Sequence, residues 1–548
     1  MNRSLSKVPR LLRWRYLRWV ASAAMVPALW ACNSRRLAIP DPEPATVDTR
    51  QFKQTVNHKL DIIFMVDNSK SMKPLQAKMQ AQLPAFMDAL VDEQTKQLPD
   101  LHVGVVSSSL GGGAWGNVNQ CKSRLADPNT LGDDGGRFLQ GAVGTNQSPC
   151  TMLHSGTKYL ANIADNQMPN YDGDIRDAFK CIALLGDEGC GFESQFGSVY
   201  WGLAKSLLPL GSGDNQDPDN GGFLRADAVL AIVMVTNEDD CSVAGDSLLL
   251  APSVNSATDP TGLGALQSYR CNEFGHLCDG MPPPHGYNFM TKQFDLPMNG
   301  VTLKNCVSAE DKGKTDDGVV DPNGNSDPTK GHLWPTVAGF TDYIKMFKNN
   351  PDDILVAAIA GPVVDGKGDS LYRVIPQMNS AAMGEMDPVV DHSCTQQVAG
   401  GADPEYADPG VRIKQWTESF GTNGIFYPIC ANDFKTAMTT IAMRIHQKLG
   451  SSCVSTNIAK DPNDPTGQKH NCTVTQKTTD ALGKQTTQRL VECDDAKSQT
   501  PCYLLTENSG QCTDATAKTL FKVCNDASCM MMQGSTDSKD AQISCAVE

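Results

Sequence analysis

The sequence predicts an α/β protein built on a doubly wound, mostly parallel sheet, and three observations carry that expectation. Apolar β-rich runs alternate with segments of helical spacing from residue 60 to residue 449. The run AVLAIVMV at 228–235 is apolar at every position, as a central parallel strand covered on both faces requires. The apolar run at 62–66 ends directly in the pattern D-x-S-x-S, placing Asp67, Ser69 and Ser71 on a tight turn at the carboxyl end of a buried strand. Doubly wound sheets bind their ligands at that edge.

Taken in order, residues 1–31 stand apart from any fold. Arg3, Lys7, Arg10, Arg13, Arg15 and Arg18 precede the short apolar stretch WVASAAMVPALWA at 19–31, the layout of a secretory signal peptide. Leu29-Trp30-Ala31-Cys32 resembles a bacterial lipobox, which implies cleavage before Cys32 and acylation of its thiol. That expectation is a lipid-anchored protein of the bacterial cell envelope, periplasmic or surface-exposed. The alternative is an ordinary signal peptide with a coincidental cysteine. Residues 32–57, with prolines at 40, 42 and 44, read as the lipidated cysteine and a tether.

Residues 58–450 carry the α/β alternation. Strands are expected at 62–66, 101–107, 228–235, 354–360 and 425–429. Helices are expected at 74–92, with Pro84 inside, and at 175–185, 198–208, 336–348, 411–420 and 433–449. The stretches near 109–170 and 241–330 are rich in Gly, Asp, Asn, Pro and Cys and too long for ordinary connections, so they read as disulfide-stapled insertions. Residues 451–548 hold eight cysteines and few large apolar side chains, which suggests a small cysteine-rich domain held by bridges instead of a core.

The chain has 19 cysteines. With Cys32 given to lipid an even set remains, enough for as many as nine bridges in an oxidising compartment. Neighbour pairing would give Cys121–Cys150, Cys181–Cys190, Cys241–Cys271 and Cys278–Cys306, although spacing alone does not fix connectivity. The formal charge is −15, and about −21 once the six basic residues of the leader are removed. No basic stripe with interleaved aromatics occurs beyond the leader, so nucleic-acid binding is not expected.

A carboxylate and two hydroxyls converging at Asp67, Ser69 and Ser71 make a hard-oxygen site suited to Mg²⁺, or to Mn²⁺ or Ca²⁺. The plain reading is a strand-to-helix turn in which a serine caps the next helix. With the strand before it and the helical run after it, the motif resembles the metal-ion-dependent adhesion site (MIDAS) that opens the von Willebrand factor A (vWA) family. The resemblance covers residues 58–450. It implies a metal joined by a Thr from a second loop and an Asp after the central strand, with one position open to an acidic side chain of a protein partner. The second loop, 186–194, holds no Thr; Glu193 or Ser194 would supply the oxygen, unless Glu193 only caps or solvates the following helix. At the third loop the family Asp is Asn237, which offers an oxygen without charge, and Glu238, Asp239 or Asp240 would compensate.

A second acidic loop, Asp321, Asn323, Asn325 and Asp327, begins like a calcium loop but lacks the glycine at its sixth position and has His332 where the closing Glu belongs, so a solvated loop is the better reading. Residues 361–368 nearly spell a phosphate loop, yet Gly368 replaces the hydroxyl residue and Asp369 would repel phosphate. No H-E-x-x-H pair or G-x-S-x-G elbow occurs. The expectation is therefore a non-enzymatic lipoprotein that binds a protein partner through a divalent metal, in adhesion or assembly. The rivals are a structural lipoprotein with a metal-free domain, and a metal-dependent hydrolase using Glu238, Asp239 and Asp240.

Overall fold

The computed structural model describes residues 50–56, 59–91, 98–115, 121, 133–142, 150–154, 158–162, 168–207, 220–244, 247–251, 263–288, 293–310, 333–378, 386–397, 404–449, 453–454, 458–479, 485–493, 501–507, 519–524 and 541–547. The leader, Cys32, the loop at 321–327 and parts of both insertions lie outside the described residues. Among the described residues no helix is long and apolar enough to cross a membrane.

Twelve elements position the site: β1 (Lys59–Val66), α1 (Lys73–Leu90), β2 (Asp100–Ser107), β3 (Leu160–Asn162), α2 (Ile175–Ala183), α3 (Gln195–Ser206), β4 (Val229–Val235), α4 (Val337–Lys345), β5 (Ile354–Ala360), α5 (Val411–Glu418), β6 (Gly424–Pro428) and α6 (Lys435–Leu449). The strands form one six-stranded mixed sheet in the order β6-β5-β4-β1-β2-β3. The pairs from β6 to β2 are parallel. The edge strand β3 runs antiparallel to β2. It lies within the first insertion, where three residues are too few to leave a periodic signal.

The continuous apolar runs have a direct cause. Along β4, Val229, Ala231, Val233 and Val235 face one buried layer, and Leu230, Ile232 and Met234 face the other. Strand β1 divides likewise, with Ile62, Phe64 and Val66 opposed to Ile63 and Met65. Leu75, Met79, Leu83 and Phe86 of α1 fill the first layer with Phe179 of α2 and Ile441 of α6. Phe196 of α3, Phe340 of α4 and Trp416 of α5 fill the second. Both faces of each central strand are therefore removed from water, and only apolar side chains tolerate that without partners. Helix α1 continues through Pro84.

The insertions are stapled along this sheet. Two neighbour pairs form as expected, Cys241–Cys271 and Cys278–Cys306. The other two exchange partners, giving Cys121–Cys190 and Cys150–Cys181. The exchange follows from backbone pairing: Cys150 N donates to Gln140 O, and Gly141 N donates to Ile182 O, which brings Cys150 with Gln140 and Gly141 to the end of α2. Cys394–Cys430 ties a hairpin to the residues after β6.

A second, seven-stranded sheet joins Arg50–Val56 to the carboxyl-terminal region, in the order Arg50–Val56, Ala541–Val547, Cys472–Thr479, Gln485–Glu492, Cys502–Thr506, Thr519–Cys524, Cys453–Val454. Residues 50–56, placed in the tether by the sequence reading, thus pair with 541–547 over seven registered positions. They follow the last tether proline, so every amide is free to join a ladder. The region also has an apolar layer of its own, with Val474, Leu490, Phe521, Val523 and Ile543, in addition to Cys472–Cys545 and Cys493–Cys502.

Candidate metal centre

Strand β1 delivers Asp67 to the carboxyl edge, where its amide donates to Val235 O (3.0 Å) at the end of β4. The Asp67 side chain is fully buried. Its Oδ1 accepts from Ser69 N (2.8 Å) and Ser108 Oγ (3.0 Å), and its Oδ2 accepts from Thr236 Oγ1 (2.7 Å). Burial raises the Asp67 pKa, and those hydrogen bonds offset only part of that rise. Both oxygens of the carboxylate are thereby aimed by neighbouring strands.

The other oxygens predicted for the site lie in a chain beside it. Ser69 Oγ is 3.1 Å from Ser71 Oγ, and Ser71 Oγ donates to Asn237 Oδ1 at 3.1 Å. Asn237 is held in turn, its Nδ2 donating to Tyr406 O and its carbonyl accepting from Asp408 N. Neither serine caps a helix: Ser69 makes no side-chain capping bond at the short helical turn that follows it. The plain reading of the motif therefore does not account for the two hydroxyls.

Glu193 is brought to the same edge but to a different neighbourhood. It is 1% exposed, and no donor reaches either carboxylate oxygen. Burial raises its pKa well above the usual range, followed by the charges of Glu238 and then Asp67. Burial likewise pushes the Glu238 carboxyl up to about 8, with Asp408 and Asp67 adding to it. Glu193 does not cap α3. That helix receives its acceptors from the loop after β4, where Asp240 Oδ1 takes Phe196 N (2.8 Å) and Ser242 Oγ takes Gly197 N (2.8 Å). Ser194 is buried and donates its amide to Ser108 O, with no side-chain capping bond.

Asp239 and Asp240, candidates to replace the missing charge at Asn237, are engaged elsewhere. Asp239 Oδ2 accepts from Arg412 N (2.9 Å) and its Oδ1 from Ile413 N (3.2 Å), which caps α5. His276 Nε2 lies 2.8 Å from the same Oδ2. Asp240 Oδ2 accepts from Arg412 Nε (3.2 Å) in a fully buried ion pair. Of the three acids in the loop, Glu238 is the one whose carboxylate none of these donors occupies.

Sequence reasoning did not find several contributors. Ser108 and Ser109 follow β2, and Ser109 Oγ donates to Asn68 Oδ1 while accepting from Cys190 N. Gln76 Nε2 donates to Asp67 O (2.8 Å) and Gly186 O (2.7 Å), tying the first two loops together. Tyr406 and Asp408 arrive from a hairpin far along the chain, with His392 stacked on Tyr406 and 2.7 Å from Asp408 Oδ1. The serine run at 107–109, directly after a strand, was the available signal. The segment at 361–370 is a plain turn in which Asp365 Oδ1 accepts from Lys367 N and Asp369 N. Among the described residues, no three His, Cys, Asp or Glu side chains converge as a ready-made metal cage. The oxygens at the turn are one carboxylate, two serine hydroxyls and an amide, a set suited to a hard cation rather than a soft one.

No protein-family model matches this chain, and no curated protein matches it. Among solved structures it is similar to the pilus adhesin SpaC of Lactobacillus rhamnosus GG in its open conformation, at 10% identity, covering 91% of this chain and 40% of that one with a TM-score of 0.29. A second is the adhesive tip pilin GBS104 of Group B Streptococcus agalactiae, at 11% identity, covering 91% and 80% with a TM-score of 0.25. The chain thus spans about two fifths of the length of the SpaC structure.

Proposed function

We propose that this chain is a lipid-anchored protein of the bacterial cell envelope, not an enzyme, whose vWA-like domain presents a divalent cation to an acidic group of a protein partner. The observation that carries the proposal is the oxygen cluster at the carboxyl ends of two adjacent parallel strands, where Asp67, Ser69 and Ser71 meet Thr236 and Asn237. Ser69 and Ser71 would hold Mg²⁺, Mn²⁺ or Ca²⁺ directly, with Asn237 as a neutral ligand and Asp67 supplying the charge directly or through water. A cation held by so few charges keeps net positive character, and that would draw a partner carboxylate. The anchor rests on the lipobox-like Leu29–Cys32 stretch, and the oxidising compartment on the disulfides.

A second reading, a structural protein with a metal-free domain, is favoured by one specific observation. Asp67 already accepts three hydrogen bonds, and the position where the family carries a second charge is Asn237. The hydrolase reading loses ground because Asp239 and Asp240 are committed to helix ends and to Arg412.

Calorimetric titration of Mg²⁺ and Mn²⁺ into the oxidised full chain separates these readings. Saturable binding that falls at least tenfold in Asp67→Ala and Ser71→Ala is expected. No saturable binding in the parent selects the metal-free reading, and binding unchanged in both variants, each shown to be folded by circular dichroism, means that the turn does not hold the cation.

A further inference from the structure

The same edge carries a group of acids that the D-x-S-x-S turn does not use. Glu193, Glu238, Asp239, Asp240 and Asp408 line a cavity of about 10 Å³, walled by the cysteines of the Cys241–Cys271 bridge and by Ser268, Asn272 and His276. That volume is room for one water-sized body. Asp239 and Asp240 are satisfied by helix amides and Arg412, and His276 is taken by Asp239. Asp408 has one oxygen on His392. Glu193 is the unpaid member: it lines the cavity, is 1% exposed, and no donor reaches either of its oxygens. Its strongest charged neighbour is a second carboxyl, Glu238.

Two neighbouring acids, Glu193 buried and Glu238 partly so, with no basic side chain free to pair with them in the cavity lining, are costly unless a proton or a cation lies between them. We infer that Glu193, Glu238 and Asp408 form a second cation site, buried behind the turn, that takes a hard divalent ion of the calcium type. Calcium suits it because it accepts six to eight oxygens at irregular angles, whereas Mg²⁺ demands a near-octahedral set. Ser268 and Asn272 stand on the disulfide-tied segment as further oxygen donors. The three carboxylates do not already converge at ligating distance, so the ion draws Glu193 and Glu238 inward as it binds. The inference stands whether or not the turn binds a cation, since the oxygen sets differ.

The test is calorimetric titration of CaCl₂ into the oxidised, chelator-treated full chain, beside Glu193→Gln, Glu238→Gln and Ser71→Ala. Thermal unfolding of each protein is followed with and without calcium. The expected result is calcium binding that raises Tm in the parent and in Ser71→Ala, and that weakens at least tenfold in both Gln variants. The Gln variants remove mutual repulsion, so in the absence of calcium they should unfold at or above the parent temperature, which shows that they fold. No calcium binding in the parent overturns the site and leaves a shared proton between the acids. Calcium binding lost in Ser71→Ala but kept in both Gln variants moves the ion to the turn and equally overturns it.

Discussion

Gly189 shows how a single atom governs the turn. A Cβ there would lie 2.5 Å from the Asn68 carbonyl oxygen and 2.3 Å from Asn68 Oδ1, and the Asn68 carbonyl is where the Gly189 amide donates. Gly189→Ala should therefore displace the residue between Asp67 and Ser69. The expected cost is about 1–3 kcal/mol of stability, with a parallel fall in cation affinity although no ligand is removed. Urea unfolding and Mg²⁺ titration of the variant measure both, and a variant with parent stability would show that the loop yields freely. Asp67, Ser69 and Ser71 were legible because they are consecutive with a strand. The need for glycine at 189 was not, because it depends on a backbone segment from another loop, and the position has no positive φ to announce it.

At the scale of elements, the loop after β4 works as a staple between two helices. Asp240 receives the Phe196 amide of α3, Asp239 receives the Arg412 and Ile413 amides of α5, and Arg412 reaches back from α5 to Asp240. Acids read from sequence as compensating metal ligands are thus helix caps, placed where the amide ends of the helices attract negative charge. Asp239→Ala should cost about 2 kcal/mol, since it strips two amides of α5 and His276 of their acceptor at once. Denaturant unfolding tests this, and a loss below about 0.5 kcal/mol would mean that the staple carries no weight. The parallel strands and all six helices of the main sheet were visible as periodicity, within a few residues at each end. What periodicity cannot carry is which distant helix end meets which loop, and the caps live in that information.

Across the whole molecule, order is divided between a sheet core built on apolar layers and insertions that depend on bridges. Cys121–Cys190, Cys150–Cys181, Cys241–Cys271 and Cys278–Cys306 all hold the two insertions, closing loops of 28 to 69 residues. Each such closure contributes about 3–4 kcal/mol in the chain-entropy picture. Reduction should accordingly abolish cation binding and expose the insertions to protease at temperatures where the parallel core still gives its circular dichroism signal. A single transition, unmoved by reductant, would overturn that division. Cysteine count indicated the bridges but did not fix their partners, because pairing follows contacts such as that of Gly141 with the end of α2 rather than spacing. The pairing of Arg50–Val56 with Ala541–Val547 has a consequence for the order of assembly. A ribosome delivers one strand early and its partner only after everything between them has emerged. Until then the early strand waits with its hydrogen-bonding edge open, so closing that ladder belongs to the final stage of folding.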